Sequence, residues 1–222
     1  MCSQRRCLLM RFLSFPAAEK LLGRYGVKTV PSVHSGSPQE LLSLAGRLKP
    51  PFALKATGRG INHKSERGLV ALHLHTPAEA VAAARQMATR LTPVERGSVL
   101  FVLQEMRSGA EFLVGAKKDA SFGCVALFGV GGTGAELYSE STVRLCPLSK
   151  QDAAQMLSET KAAAFFSKVG FRGVRVSPDA VEALLLAVSR LALAEGVEEM
   201  DLNPVIANSK GLWVADARVF LR

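Results

Sequence analysis

VEEMDLNPVIANSKGLWVADARVFL, residues 197–221, carries the pattern that decides the architecture. Two apolar-rich runs, VEEMDLNPVIA and GLWVADARVFL, flank a turn at Asn208-Ser209-Lys210-Gly211, so the stretch reads as a terminal β-hairpin. Asp201 and Asn203 stand two residues apart in the first strand, and side chains at that spacing leave the same face. The second strand carries Asp216, which a hairpin can bring alongside. Carboxylates and an amide oxygen on one face make an all-oxygen donor set that suits Mg2+. A solvated strand face, with Asn-Pro starting a turn, has the same pattern.

Upstream, SKQDAAQMLSE at 149–159 and PDAVEALLLAVSRLALAE at 178–195 read as helices. From residue 98 to 145 the character changes, and SVLFVLQEM, EFLVGAKKD, CVALFGVGG, AELYSE and VRLCPL are short β-rich runs separated by Gly, Ser and Asp. They predict a mostly antiparallel sheet. The first part alternates instead. A helix over 16–26 is opened by Pro16 and stopped at Gly26. VKTVPSV follows as a strand, PQELLSLAGRL as a helix, PFALKA at 51–56 as a buried strand, LVALHLH as a strand, and 77–91 as a helix with an apolar stripe. The expected class is α+β with two lobes. No internal repeat or low-complexity segment interrupts it.

With 222 residues, 48% hydrophobic and 21% charged, the chain can bury a sizeable core, and its composition excludes disorder and collagen-like repetition. The net charge of +9 attracts polyanions. Aromatics at 6%, with no Lys/Arg run, argue against nucleic acid and leave nucleotides, CoA or an acidic partner subunit. Cys2, Cys7, Cys124 and Cys146 show neither CxxC pairing nor zinc spacing, so reduced, mostly buried thiols in a cytoplasmic protein are expected. LLLAVSRLALA at 184–194 is broken by Arg190 and too short to span a bilayer. MCSQRRCLLMRFLSF is basic and acid-free like a targeting segment, yet no small-residue cleavage site follows a long apolar core.

Several residues invite chemistry. Lys55 lies inside apolar PFALKA, either snorkelling from an edge or held as a phosphate-binding cation. His63 and Lys64 sit in INHKSERGLV at 61–70, a solvated surface turn or a phosphate-handling loop. GVGGTG at 129–134, with Gly131 and Gly132, lacks a following GK[ST], which excludes a Walker loop. Its glycines admit either backbone amides approaching an anion or a tight β-turn. Arg144 is a phosphate ligand, a counter-charge to the acidic cluster or an ordinary surface arginine. Gln104, Glu105 and Met106 end an apolar strand, and His34, His73 and His75 show no partner pattern.

The order of motifs adds what no single motif supplies. LKA, HKSERG, QEM, GAEFLVGAKKDASFG, FGVGG, RLCPL, MDLNPV and VADAR, in that sequence from about residue 14 onward, resemble the ATP-grasp (β) component of NDP-forming acyl-CoA synthetases, the acetate–CoA ligase (ADP-forming) group. Succinyl-CoA synthetase β chains are similar at a greater distance. The resemblance implies an ATP-grasp fold over 14–222, with nucleotide bound between two lobes. These are a smaller module at about 30–105 and a larger one at about 106–222, against which the 14–29 helix packs; residues 1–13 form an extension. It also implies a CoA-binding α partner carrying a phosphorylated histidine, with ATP/ADP and Mg2+ as cofactors. By the same resemblance Lys55 contacts nucleotide phosphates, as Gly131, Gly132 and Arg144 would. Gln104, Glu105 and Met106 line the adenine pocket through their backbone, and Glu111 lies near the ribose. Asn203 and Asp216 hold Mg2+, Asp201 steadies a phosphohistidine, and His63 relays phosphoryl. The chemistry is consistent, because phosphoryl transfer is mostly positioning and charge stabilisation, and a neutral imidazole is a competent nucleophile. Gly60 and Gly68 offer hinges for a moving histidine.

The sequence departs from the family pattern at Leu69, where a second glycine is usual, at Glu140, where an aspartate is usual, and at Thr133-Gly134 and ATGRG. The alternative function is therefore a catalytically silent ATP-grasp module that partners a protein lysine acetyltransferase.

Overall fold

The computed structural model describes residues 10–61, 63–131 and 141–222, and the chain divides into two compact units. The described strands are β1 (Arg11–Phe12), β2 (Ser32–Ser35), β3 (Phe52–Thr57), β4 (Val70–Leu74), β5 (Leu100–Glu105), β6 (Ala110–Asp119), β7 (Gly123–Val130), β8 (Thr142–Leu145), β9 (Val197–Asn208), β10 (Gly211–Val214) and β11 (Ala217–Leu221). The α-helices are α1 (Phe15–Arg24), α2 (Leu41–Leu44), α3 (Pro77–Thr89), α4 (Pro93–Arg96), α5 (Lys150–Ser158), α6 (Ala163–Phe166) and α7 (Pro178–Ala194). None of the described helices is long and apolar enough to cross a membrane.

The larger unit holds the described residues up to Leu13, residues 17–29 and residues 108–222. Its sheet runs β1-β11-β9-β6-β7-β8, antiparallel throughout, and β10 also pairs with β9. Alternation along β6, β7 and β9 drives one face inward. Phe112, Val114, Ala116, Ala126, Phe128, Met200 and Leu202 are buried there, and α7 packs on the same strands through Val181, Leu185, Val188 and Leu191. Tyr25, just past α1, donates its hydroxyl to Glu195 at 2.8 Å. Arg11 and Phe12, expected in the extension, pair with Leu221 and Phe220.

The smaller unit holds residues 14–16 and 30–107, with an antiparallel sheet in the order β2-β5-β3-β4. Phe52, Leu54 and Ala56 of β3 and Phe101 and Leu103 of β5 join Ala80, Ala84 and Met87 of α3 in one hydrophobic cluster. α3 starts at Thr76, whose hydroxyl accepts the Glu79 N–H, with Pro77 as its first residue.

Four expectations need correction. The helix expected over 38–48 is only α2 followed by a 3-10 turn at Ala45–Arg47. Glu40 provides no cap, because its carboxylate bonds Ser35, and Gly46 weakens continuation. VKTVPSV is a strand only over Ser32–Ser35; Thr29 forms an isolated bridge to Val214, and Pro31 has no N–H to extend a ladder. The final strand is two strands, β10 and β11, parted at Ala215-Asp216. Cys124 and Cys146 are half-buried neighbours: the Cys146 N–H donates to the Cys124 carbonyl at 2.8 Å, and burial, aided by Cys146, pushes the Cys124 thiol up to about 12. The AELYSE strand, Gly132, Thr133-Gly134, Glu140, Cys2 and Cys7 lie outside the described residues.

Candidate functional site

The break in the final strand builds the larger unit's polar cluster. β11 pairs with β9 up to Ala217 opposite Leu202, and β10 resumes at Val214 opposite Val205. Pro204 has no N–H for a ladder. The gap is closed by the Asn203 N–H donating to the Asp216 carbonyl at 3.2 Å and the Ala215 N–H donating to the Pro204 carbonyl at 3.0 Å. Asn203 and Asp216 are thereby cross-strand neighbours, and Asp216 also accepts the Ala217 N–H at 3.1 Å through Oδ1. On the other side of β9, the register shifts between Phe112 and Val114, so Asn203 and Pro204 oppose Leu113 alone. That extra residue keeps Asp201, paired with Gly115, on the same face as Ile206, paired with Glu111. Asp201, Asn203 and Asp216 are half-buried and Glu111 is exposed. Among the described residues, no three His, Cys, Asp or Glu side chains gather around a common point. The Asn203–Asp216 pair is oxygen-only, which fits Mg2+, an ion that keeps several waters and needs few protein ligands.

Two other candidates of this unit are engaged elsewhere. The Gly131 N–H donates to the Glu111 carbonyl at 2.7 Å, prolonging the β6–β7 ladder. A Cβ at Gly131 would lie 2.7 Å from the Phe112 carbonyl carbon, so glycine is required there by close backbone approach. Arg144 pairs with Ala126, in the row that continues through Ala116 to Met200 on the helix-covered face. It forms an ion pair with Glu159, at the end of α5, and lies on the opposite face from Asp201. It is not the counter-charge of the acidic cluster.

In the smaller unit Lys55 is no edge residue. It lies in β3, flanked by Val102 of β5 and Val70 of β4, and is 8% exposed. Gln104 lies diagonally across on the same face, 1% exposed, and its Nε2 has no hydrogen-bond partner among the described residues. A buried donor left unmet costs a fold about 1–3 kcal/mol, so this amide is a candidate to meet an acceptor from a ligand. The Glu105 and Met106 N–H groups are already given to the Pro31 and Pro51 carbonyls at 3.0 and 2.9 Å. Glu105 also accepts from the Lys49 N–H and from Arg107, at 3.0 and 2.8 Å.

The histidine stretch is an ordered turn. Arg67, Gly68 and Leu69 donate their N–H groups to the His63, Ser65 and Lys64 carbonyls at 3.1, 3.0 and 2.7 Å. His63 stands at the head of this turn with φ +50°, a backbone conformation uncommon outside glycine, and its side chain is 73% exposed. Its Nδ1 lies 3.6 Å from Glu66 Oε1. Leu69 has no exposure at all and belongs to the hydrophobic cluster, while its carbonyl accepts the Ala56 N–H at 3.0 Å.

Residues that the sequence did not single out hold the far end of this turn. Arg67 makes two hydrogen bonds to the Glu95 carboxylate, at 2.8 and 2.9 Å, and Arg90 Nη1 donates to the Gly68 carbonyl. Glu95 also closes a capping box with Thr92 at the start of α4. The pattern Thr92-Pro93-Val94-Glu95 is the legible signal for that helix start. No local signal announces a partner 28 residues away.

Comparison with known proteins places this geometry in a lineage. A model of the ATP-grasp domain matches residues 10–221. The β subunit of acetate–CoA ligase (ADP-forming) II from Pyrococcus furiosus is 30% identical over 213 residues, 92% of this chain and 89% of that subunit. Acetate–CoA ligase (ADP-forming) II from Archaeoglobus fulgidus is 33% identical over 202 residues, 91% of this chain and 29% of that protein. The chain thus spans less than a third of one relative and nearly all of the other. Dinucleotide-forming acetyl-coenzyme A synthetase 1 of Ca. Korarchaeum cryptofilum, in complex with coenzyme A, Ca-AMPCP and HgCl+, matches with a TM-score of 0.84 at 30% identity, covering 99% of this chain and 100% of that one. The same enzyme with coenzyme A and Mg-AMPPCP, its phosphohistidine segment pointing towards the nucleotide-binding site, gives a TM-score of 0.79 at 31% identity, covering 95% and 93%. With the fold matched from end to end and a stand-alone β subunit matched over nearly all of its length, the chain belongs to the ATP-grasp family, in the β-subunit branch of the ADP-forming acetate–CoA ligases.

Proposed function

We propose that the chain is the nucleotide-binding β component of an ADP-forming acyl-CoA synthetase. With a CoA-binding α subunit it would interconvert acyl-CoA, ADP and phosphate with carboxylic acid, CoA and ATP. The observation that carries this reading is His63, an exposed imidazole on a left-handed backbone at the head of an otherwise fixed turn. In the ATP-forming direction, His63 receives a phosphoryl group from the partner and passes it to ADP. In reverse, its Nε2 lone pair attacks the γ-phosphorus, the N–P bond forms, and the P–O bond to ADP breaks with its electrons on the departing oxygen. Lys55 supplies a rigid cation for nucleotide phosphates, and Gln104 offers its unmet donor to an acceptor on the base edge. Asp201 steadies the phosphorylated histidine. Asn203 and Asp216 would hold Mg2+, which when bound offsets negative charge on phosphate oxygens. We place the protein in the cytoplasm, where nucleotide and CoA are supplied.

The relatives reported above are ligases and synthetases by name and lend no support to a silent acetyltransferase-linked module. The test uses the full chain, Mg2+ and ATP radiolabelled on its γ-phosphorus, with the α subunit co-purified from the native source. Wild type is expected to take up acid-labile label that His63→Asn does not. Equal labelling of the two overturns the carrier role.

A further inference from the structure

The mobile-carrier picture expects hinges at both glycine ends of the histidine stretch, and the structure treats those ends differently. At Gly60 the backbone is left-handed, φ +84°, and among the described residues beyond its chain neighbours no atom lies within 4 Å of where a Cβ would stand. At Gly68, φ +61°, a Cβ would collide with the Arg90 guanidinium, which donates to the Gly68 carbonyl. Next to it, Arg67 is joined to Glu95 by the two-bond fork geometry that makes arginine–carboxylate pairs directional as well as strong. The pair is largely shielded, with side-chain exposures of 31% and 13%, so water competes weakly for it. Glu95 is itself held by the Thr92 N–H at 2.9 Å, and Arg67 closes the turn onto the His63 carbonyl.

We propose that Arg67 and Glu95 are positioning residues that clamp the base of the histidine turn to α4, so that His63 moves about Gly60 alone. Neither touches substrate. The clamp restricts His63 to a narrow arc, which preserves the in-line geometry that phosphoryl transfer demands while permitting travel. This rests on His63 as phosphoryl carrier, and the measurements are chosen to separate the two ideas.

Hydrogen exchange of the Arg67, Gly68 and Leu69 amides in the full chain reports the clamp directly. Rapid labelling of His63 from γ-labelled ATP reports its consequence. In Arg67→Ala the three amides are expected to exchange about tenfold faster. The labelling rate should fall by about tenfold with the KM for ATP within about twofold, since misplacement rather than binding is at fault. Arg67→Lys, which keeps the charge but loses the fork, should lie between. Thr92→Ala, which removes the α4 cap and leaves the ion pair, should match wild type in both readouts. The clamp is overturned if Arg67→Ala retains amide protection, if it labels as fast as wild type while His63→Asn stays unlabelled, or if Thr92→Ala reproduces its defects. If His63→Asn labels like wild type, the carrier reading fails and amide exchange alone decides the clamp.

Discussion

Lys55 and Gln104 of the smaller unit sit in an unbroken ladder, 8% and 1% exposed, whereas Asn203 and Asp216 of the larger unit are half-buried where a ladder breaks. The first pair is held by packing. A cation and an amide drawn into a sheet lose rotamer freedom and water, and under the proposed function the fold bears that desolvation cost for groups that then need no rearrangement when nucleotide arrives. The second pair is held by backbone topology. Proline interrupts β9, the opposing strand parts, and an amide and a carboxylate are left partly hydrated, which suits an ion that keeps its own waters. One sheet fixes charge by burying it; the other presents oxygen by interrupting itself.

That contrast can be broken most forcefully at Leu69. Replacing it by glycine is expected to lower stability by about 3–5 kcal/mol, because it empties a fully buried position and frees the backbone. A denaturant melt unchanged from wild type would show that the smaller unit is not organised by packing. Lys55→Met should reduce nucleotide binding by about a hundredfold, measured by ATP titration, while leaving the melting midpoint equal or higher. A large loss of stability without loss of binding would reverse the roles assigned to this face. In the larger unit, Asp216→Asn should raise the Mg2+ concentration needed for nucleotide binding by about tenfold without altering Mg2+-free binding. Gln104→Leu sharpens the point, because it should gain about 1 kcal/mol of stability by removing an unmet donor and lose several-fold in nucleotide affinity.

The smallest expected effect is electrostatic. Arg67, then the Thr92 N–H, holds the Glu95 carboxyl down at about 2, against an ordinary value of 4.5. A carboxyl depressed in the folded state stabilises above its unfolded value, and that contribution disappears as pH falls through its folded value. The stability advantage of wild type over Glu95→Gln should therefore be complete above about pH 4.5 and vanish towards about pH 2. A constant advantage across that range would mean that Glu95 acts through shape rather than charge.

Local pattern was enough to read both kinds of element wherever periodicity was strong. α3, α5 and α7 follow their apolar spacing and Ser, Thr or Pro starts, and β3, β5, β6, β7 and β9 follow their short apolar runs. It failed over 38–48, where the helical pattern lacked a free cap, and at Ala215-Asp216, where the break depends on a proline in another strand. For the site, residue types and motif order marked His63, Lys55, Asn203 and Asp216. They did not reveal that Lys55 is interior, that Arg144 turns to the helix-covered face, or that the Gly131 amide is already in use.

By itself, then, the sequence determined the α+β class, the order of the main elements and the family, and it named candidates for phosphoryl chemistry, because propensity, periodicity and motif order act over short spans or survive in linear order. Only the tertiary structure decided which faces those residues share and what holds them. Register between distant strands set the Asn203–Asp216 contact, and a 28-residue closure joined Arg67 to Glu95. Such pairings arise from how buried surfaces fit together, and neighbouring residues carry no record of them.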